Sequence, residues 1–374
     1  MADNPEAVAD DSALNVKNLR LIFHTYAGNV KALDGVDLRV QKREILGLVG
    51  ESGCGKSVTA LSIAGLLPEN AEVMEGEVLL EGRDLLKLGK DEIRKARTND
   101  IAFVFQDPMT YLNPVLSIGS QLLETLTDDK KAHMQEFVKM KLKELEAELV
   151  ERPNDPGLVE ELAKLKRGDA KLGGREVNRL AKLKVIEYLR VVRLPEPEQV
   201  FKMYPFELSG GMRQRVMIAM ALVRVPKVLL ADEITTALDV TVQAQILELL
   251  KGLRDQIDAA IILITHDLAI VSEVCDRVAV MYAGNIVELA TVDELFANPM
   301  HPYTVGLMGA LPRPDIKAIK LESISGSVPD LIYPPSGCRF HPRCPKAFDR
   351  CPSVKPPLVE VRPGHKVACL LYGG

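Results

Sequence analysis

The chain has 374 residues, 47% hydrophobic and 26% charged, with 26 Gly, 23 Pro and no Trp; these ordinary globular values exclude collagen-like, low-complexity and wholly disordered classes. A formal net charge of −5 argues against a protein that binds nucleic acid through its whole surface, so no nucleic-acid partner is expected. A single core usually stops growing at about 250–300 residues, so the length predicts one domain with appendages, or two domains.

Met1–Asp11 carries acids and no basic residue, and no signal-peptide apolar region follows it. The longest apolar stretches, such as Val216–Val223 and Ala259–Thr265, fall far short of the ~20 residues that cross a bilayer. The expectation is a cytosolic chain that reaches a membrane only through partners. Asn15–Phe23 and Val30–Val40 alternate as strands do, around a turn at Ala27-Gly28-Asn29. Glu44–Gly50 reads as a short apolar strand running into a Gly-rich turn. Lys56–Leu67 then reads as a helix stopped at Pro68. Glu77–Leu80 and Ile101–Phe105 are further strands. Lys227–Ala231, Ala260–Thr265 and Arg277–Met281 are short and apolar, as buried parallel strands are. Helical segments alternate with them, which predicts an α/β fold.

Asp128–Lys184 interrupts that rhythm with a Lys- and Glu-rich stretch. Val138, Leu142, Leu145 and Leu149 recur at helical spacing, as do Leu158, Leu162 and Leu165. The intervening Arg152–Gly157 holds two prolines and cannot continue a helix. An antiparallel helical hairpin with a narrow apolar seam is predicted, either a solvated insertion or a partner-docking arm. From Leu311 prolines become frequent, which predicts a separate tail module at 311–374.

Gly50-Glu51-Ser52-Gly53-Cys54-Gly55-Lys56-Ser57 follows a strand and precedes a helix, the context in which G-x-x-x-x-G-K-[ST] binds phosphate. Its glycines let backbone N–H groups turn toward phosphate oxygens. The helix that starts near Lys56 adds the positive end of its dipole. Lys56 is expected to reach the β- and γ-phosphates, and the Ser57 hydroxyl to ligate Mg²⁺. Val228–Ala231 ends in Asp232 and Glu233. Asp232 can hold Mg²⁺, which leaves Glu233 to polarise an attacking water as general base.

Between these halves lies Leu208-Ser209-Gly210-Gly211-Met212. Here the sequence resembles the ATP-binding cassette (ABC) ATPases, whose signature is Leu-Ser-Gly-Gly-Gln. Their other motifs follow in order: Gln106 after a strand, Ala237-Leu238-Asp239 and His266. The resemblance implies a RecA-like P-loop core with an antiparallel β subdomain over 14–310 and a helical subdomain at about 107–225. It assigns Gln106 to Mg²⁺ and to coupling with the membrane subunits, Asp239 to the D-loop, and His266 to the γ-phosphate. Phe23 matches the position of the adenine-stacking aromatic, with Tyr26 close enough to compete. Ser209, Gly210 and Gly211 open a second helix N-terminus suited to an anion. Because the P-loop already holds the phosphates of its own subunit, this second helix end is expected to serve ATP held by another subunit.

The resemblance is nearest to the ATPase subunits of dipeptide and oligopeptide importers. It rests on Met212-Arg213-Gln214-Arg215, Gln106-Asp107-Pro108-Met109, His301-Pro302-Tyr303-Thr304 and Gly337–Pro345. It implies a peripheral protein on the cytoplasmic face of the cell membrane. Its implied partners are a second ATPase subunit of a different kind, two transmembrane permeases and, through them, an extracytoplasmic solute-binding protein. Nickel and other solutes use similar ATPases. DNA-maintenance and translation ATPases are the rival class, raised by the helical insert and opposed by the importer-like tail. Ile234 stands where the family usually has Pro. The tail spacing Cys338-x5-Cys344-x6-Cys351-x17-Cys369 is wider than that of structural zinc sites. In such importer subunits these cysteines imply a [4Fe–4S] cluster; zinc, with His341 and His365 spare, or empty thiols stay open. Cys54 and Cys275 read as space-filling residues.

Overall fold

The computed structural model describes residues 12–105, 108–127, 130–236, 238–256, 258–310 and 324–373. Of the residues singled out above, Met1–Asp11, Gln106, Asp107, Asp128, Ala237 and Leu311 lie outside these ranges. The chain forms two compact units, one of residues 1–106, 226–237 and 243–374 and one of residues 107–225 and 238–242.

In the first unit, β1 (Ser12–Thr25) and β2 (Gly28–Gln41) form a long antiparallel hairpin. Leu14, Val16, Leu19 and Leu21 are buried along β1, much as the period-two pattern requires. β3 (Ile45–Val49) passes into a second sheet, while β4 (Ala71–Leu80) and β5 (Arg83–Asp84) complete the first in the order β2-β1-β4-β5. The second sheet gathers β6 (Ile101–Val104), β7 (Val228–Asp232), β8 (Ala260–Thr265), β9 (Arg277–Tyr282), β10 (Asn285–Thr291), β11 (Val359–Arg362) and β12 (His365–Val367). Its order is β11-β12-β10-β9-β3-β8-β7-β6.

The pairs β9–β3, β3–β8, β8–β7 and β7–β6 are parallel. Every residue of β3 and β8 is buried, because parallel strands are covered on both faces. β3, β8 and β7 are neighbours, so the loops leaving their carboxyl ends emerge side by side, where open α/β sheets bind ligands. The helix after β3 runs Lys56–Ala64 and ends at Gly65, whose φ of +61° lets its N–H close on the carbonyls of Leu61 and Ser62. The helix therefore stops earlier than the expected Pro68, by a left-handed glycine cap. The described tail joins the same sheet: β12 pairs with β10 and β11 with β12, all antiparallel. A second core packs Tyr282, Tyr303 and Phe340 with ring centroids 4.6, 5.0 and 5.4 Å apart.

The second unit is helical. Its helices include Lys130–Glu151, Pro156–Arg167 and Gly174–Val191. The first two are joined by a four-residue connection. The Asp155 carboxylate accepts from the N–H groups of Gly157 and Leu158, and Pro156 takes the first helical position, the place where its missing N–H is harmless. Leu145 and Leu165 are buried in the seam, and Val138, Leu142, Leu149, Leu158 and Leu162 are half-buried. Lys166 meets Glu146 at 2.8 Å and Lys141 meets Glu161 at 3.8 Å. Arg179 pairs with Glu144 and Glu176, and buried Lys184 pairs with Glu136. Among the described residues no helix is long and apolar enough to cross a membrane.

Candidate functional site

The loop after β3 is built for close backbone approach. Gly50 has φ +156°, and a Cβ there would lie 2.1 Å from the Met281 carbonyl oxygen. Gly55 has φ +109°, and its Cβ would lie 2.8 Å from Met281 Cε. No other residue fits these two positions without moving the strand beside them. The Lys56 ammonium is buried and donates to the carbonyls of Gly50 at 2.8 Å and Glu51 at 3.0 Å. Cys54 is buried against the loop, and burial raises its thiol pKa. It fills space, as expected.

Asp232 ends β7 beside this loop. The Ser57 hydroxyl hydrogen-bonds its carboxyl group, whose pKa burial raises above the usual range. Oδ1 is buried with no hydrogen-bond partner among the described residues. Glu233 follows with φ +48°, a strained conformation for a non-glycine. Its N–H donates to Ile264 O on the neighbouring strand at 3.0 Å. One carboxylate oxygen lies 3.3 Å from His266 Nδ1, and the other accepts from Thr236 at 3.4 Å. Glu233 and His266, 33 residues apart in sequence, thus meet across β7 and β8.

A cleft of about 540 Å³ runs over Ser52, Gly53, Gly55, Lys56, Ser57, Asp232 and Glu233 toward an apolar wall of Phe23, Val30, Ala32 and Leu331. Phe23 is on this wall, whereas Tyr26 is fully exposed. Leu331 and Arg343 escaped the sequence reading. Arg343 chelates the Glu51 carboxylate at 2.7 and 3.0 Å. Glu51 N–H donates to the Tyr303 hydroxyl at 2.9 Å. No local pattern announces such a pairing, since Arg343 lies 292 residues beyond Glu51.

Ser209, Gly210, Gly211 and Asp239 belong to the helical unit. Ser209 caps the helix Gly210–Leu222, its Oγ accepting from Met212 N–H at 3.3 Å. A Cβ on Gly211 would lie 2.4 Å from Val242 Cγ1, whereas one on Gly210 would meet nothing within 4 Å. Packing therefore explains Gly211 and leaves Gly210 facing open space. Asp239 Oδ1 accepts from Val242 N–H at 2.9 Å.

The cysteine tail corrects the expectation of a [4Fe–4S] cluster. Among the described residues no group of three or more His, Cys, Asp or Glu side chains is arranged to hold a metal ion. Burial raises the thiol pKa of Cys338 to about 11 and also raises those of Cys344 and Cys369. Cluster ligands must be thiolates. The spare histidines are engaged elsewhere: His365 lies between Glu288 at 2.8 Å and Glu294 at 3.3 Å, and His341 Nδ1 lies 2.9 Å from Cys338 O. Cys338, Cys344, Cys351 and Cys369 do not fit the cluster as they stand.

Fold and site together define a P-loop nucleotide-binding cassette, an ATPase that takes ATP as its nucleotide. The chain belongs to the ABC transporter family: residues 33–236 match the ABC transporter family itself, and residues 287–351 match the oligopeptide/dipeptide transporter C-terminal region. It is 45% identical to the oligopeptide transport ATP-binding protein AppD of Bacillus subtilis, over 96% of each chain. It is 42% identical to the oligopeptide transport ATP-binding protein OppD of Escherichia coli, over 96% of this chain and 93% of that one. The dimeric ABC transporter cassette MJ0796 superposes with a TM-score of 0.56 at 25% identity, over 75% of this chain and 98% of that one.

These relatives also correct two expectations. They are peptide-transport ATP-binding proteins, which gives the iron–sulfur reading no support. Nor do they support a second ATPase subunit of a different kind. The solved cassette is a dimer under a single protein name. This chain carries both the P-loop and the Leu208–Met212 segment.

Proposed function

We propose that this chain is the ATP-hydrolysing subunit of a bacterial peptide importer, bound peripherally at the cytoplasmic face of the membrane through permease subunits. The observation that carries this reading is the similarity to oligopeptide-transport ATP-binding proteins over nearly the whole chain. Neither the nucleic-acid class nor nickel transport has comparable support.

The geometry and the order of the motifs support the following site roles. Backbone N–H groups of Gly50–Ser57 cradle the phosphates, and Lys56 exchanges its carbonyl partners for the β- and γ-phosphates. The orphaned Asp232 Oδ1 and the adjacent Ser57 hydroxyl are hard oxygen donors suited to Mg²⁺; bound there, the ion would neutralise charge developing on the phosphates. Gln106 is assigned to the same ion by its place in the motif order. Glu233 takes up the proton of the attacking water, and His266 orients the water and the γ-phosphate. Phe23 stacks on adenine. Ser209, Gly210 and Gly211 of a second copy close over the nucleotide, with Asp239 at the shared interface. Closing and reopening of that pair moves the permeases. In this arrangement residues 14–310 are the cassette, about 107–225 its helical subdomain, about 128–184 a charged helical insert and 311–374 a C-terminal appendage.

Glu233→Gln is the test. The variant is expected to bind ATP as tightly as the parent while hydrolysis falls by about 10²–10⁴-fold, the usual worth of a general base. Unimpaired hydrolysis would remove Glu233 from its role. Reconstitution with peptide permeases in vesicles tests the transport reading, through ATP-dependent uptake of a labelled peptide.

A further inference from the structure

The Pro-rich appendage has no part in the chemistry so far, yet it touches the nucleotide cleft at several points. Leu331 lines the cleft at the apolar wall that also holds Phe23, Val30 and Ala32. The backbone of Lys31, between two of those wall residues, is gripped on both sides. Its N–H donates to Leu331 O at 2.8 Å, and its carbonyl accepts from Arg339 at 3.2 Å. Ile332 lies so close to Gly28, the first residue of the wall strand β2, that a Cβ there would stand 2.9 Å from it. At the phosphate end, Arg343 closes on Glu51, the second residue of the P-loop. The Arg343 side chain is only 7% exposed. The same guanidinium donates to the carbonyls of Ser325 at 3.0 Å and Ile324 at 3.3 Å, and to the Tyr282 hydroxyl at 3.3 Å.

A bidentate Arg–carboxylate pair with its guanidinium buried fixes orientation as well as charge. Glu51 sits one residue from Gly50 and offers its own carbonyl to Lys56. Holding the Glu51 carboxylate therefore holds the loop whose N–H groups must face the phosphates. The two ends of the cleft are served by one continuous segment of chain.

We infer that Ile324–Arg343 is a working part of the nucleotide site of its own chain: Leu331 forms part of the wall that receives the base, and Arg343 is a positioning residue that sets the P-loop through Glu51. The inference rests on the assignment of this cleft to ATP.

The experiment uses the full chain and two probes, ATP and inorganic tripolyphosphate, which carries phosphates but no base. Arg343→Ala is expected to weaken both probes by about tenfold and to raise the KM for ATP, with kcat within about threefold, the pattern of lost uniform binding. Arg343→Lys should recover part of the loss. Arg343→Ala combined with Glu51→Gln should cost little more than either change alone, because the two residues act as a unit. Leu331→Ala is expected to weaken ATP by about fivefold, through lost apolar contact, and to leave tripolyphosphate unchanged. Thermal unfolding of each variant separates these effects from loss of fold. A folded Arg343→Ala with parental affinity for both probes would overturn the positioning role, and equal losses of ATP and tripolyphosphate in Leu331→Ala would overturn the base contact. If the parent chain itself bound no ATP, the underlying assignment would fail instead.

Discussion

The two ends of the nucleotide cleft are made in opposite ways. The phosphate end comes from eight consecutive residues, Gly50–Ser57, together with acids and a histidine that leave adjacent strand ends. The apolar end, which we propose receives the base, is assembled from Phe23, Val30, Ala32 and Leu331, drawn from two strands of a hairpin and from a segment about 300 residues later. Charge recognition at a fixed spacing tolerates little variation in residue type or order. An apolar wall needs only surface in the right place, which many residues can supply.

That contrast can be broken most severely at the phosphate end. Glu233→Gln carries the largest expected effect, the loss of turnover described above. Lys56→Ala is expected to weaken ATP and tripolyphosphate alike by about 10²-fold, since a buried charged donor to phosphate is lost; equilibrium binding of both ligands measures it. At the base end, Phe23→Ala should weaken ATP by about tenfold, in line with about 1.4 kcal/mol of aromatic packing, and spare tripolyphosphate. Tyr26→Ala, at a fully exposed ring, should change neither. Equal effects of Phe23→Ala on both ligands would erase the distinction between the two ends.

The helical pair offers a control remote from ATP chemistry in its composition. Leu145→Ala should destabilise the fold by about 2–5 kcal/mol, as large-to-small changes in a buried seam do, which calorimetry would register. A smaller effect is expected with pH. The hydrogen bond from Arg179, assisted by Lys141, lowers the Glu176 carboxyl to about 2. A depressed carboxylate stabilises above its ordinary pKa near 4.5 and loses that contribution as pH falls toward 2. Glu176→Gln should therefore be less stable than the parent at neutral pH, with the gap narrowing over that acid range, as measured by unfolding midpoints.

Much of this was legible because the physics is local. Buried parallel strands announce themselves as apolar runs, and β3 and β8 fall within a residue of their expected bounds. Glycines at Gly50 and Gly55 follow from what their backbones must approach. Misreadings came where the deciding contact lay elsewhere. Pro68 is a strong breaker, but Gly65 ends the helix first because a left-handed cap was available there. Gly211 also carries a packing requirement that its motif does not show, since a Cβ there would lie 2.4 Å from Val242 Cγ1. The family resemblance implied a cluster on the four tail cysteines, whereas burial and the engagement of both spare histidines decide against it. Arg343 and Leu331 were invisible because nothing in their own neighbourhood refers to the P-loop.

One feature of the tail has a consequence for solubility. Without β12, the strand β10 would stand at the rim of the sheet, with five consecutive buried residues from Ile286 to Ala290 and a free row of backbone donors and acceptors. Such a rim invites pairing between molecules. β12 covers part of it, and Ala368 N–H adds a bond to Val287 O at 2.8 Å. The rim is thereby passed to β11, four residues long, with Glu360 and Arg362 exposed and Pro356-Pro357 just before it. A short, charged border preceded by two prolines is a poor template for a neighbouring strand. The last stretch of the described chain thus acts as a selvedge, keeping a mostly parallel sheet from fraying into its neighbours.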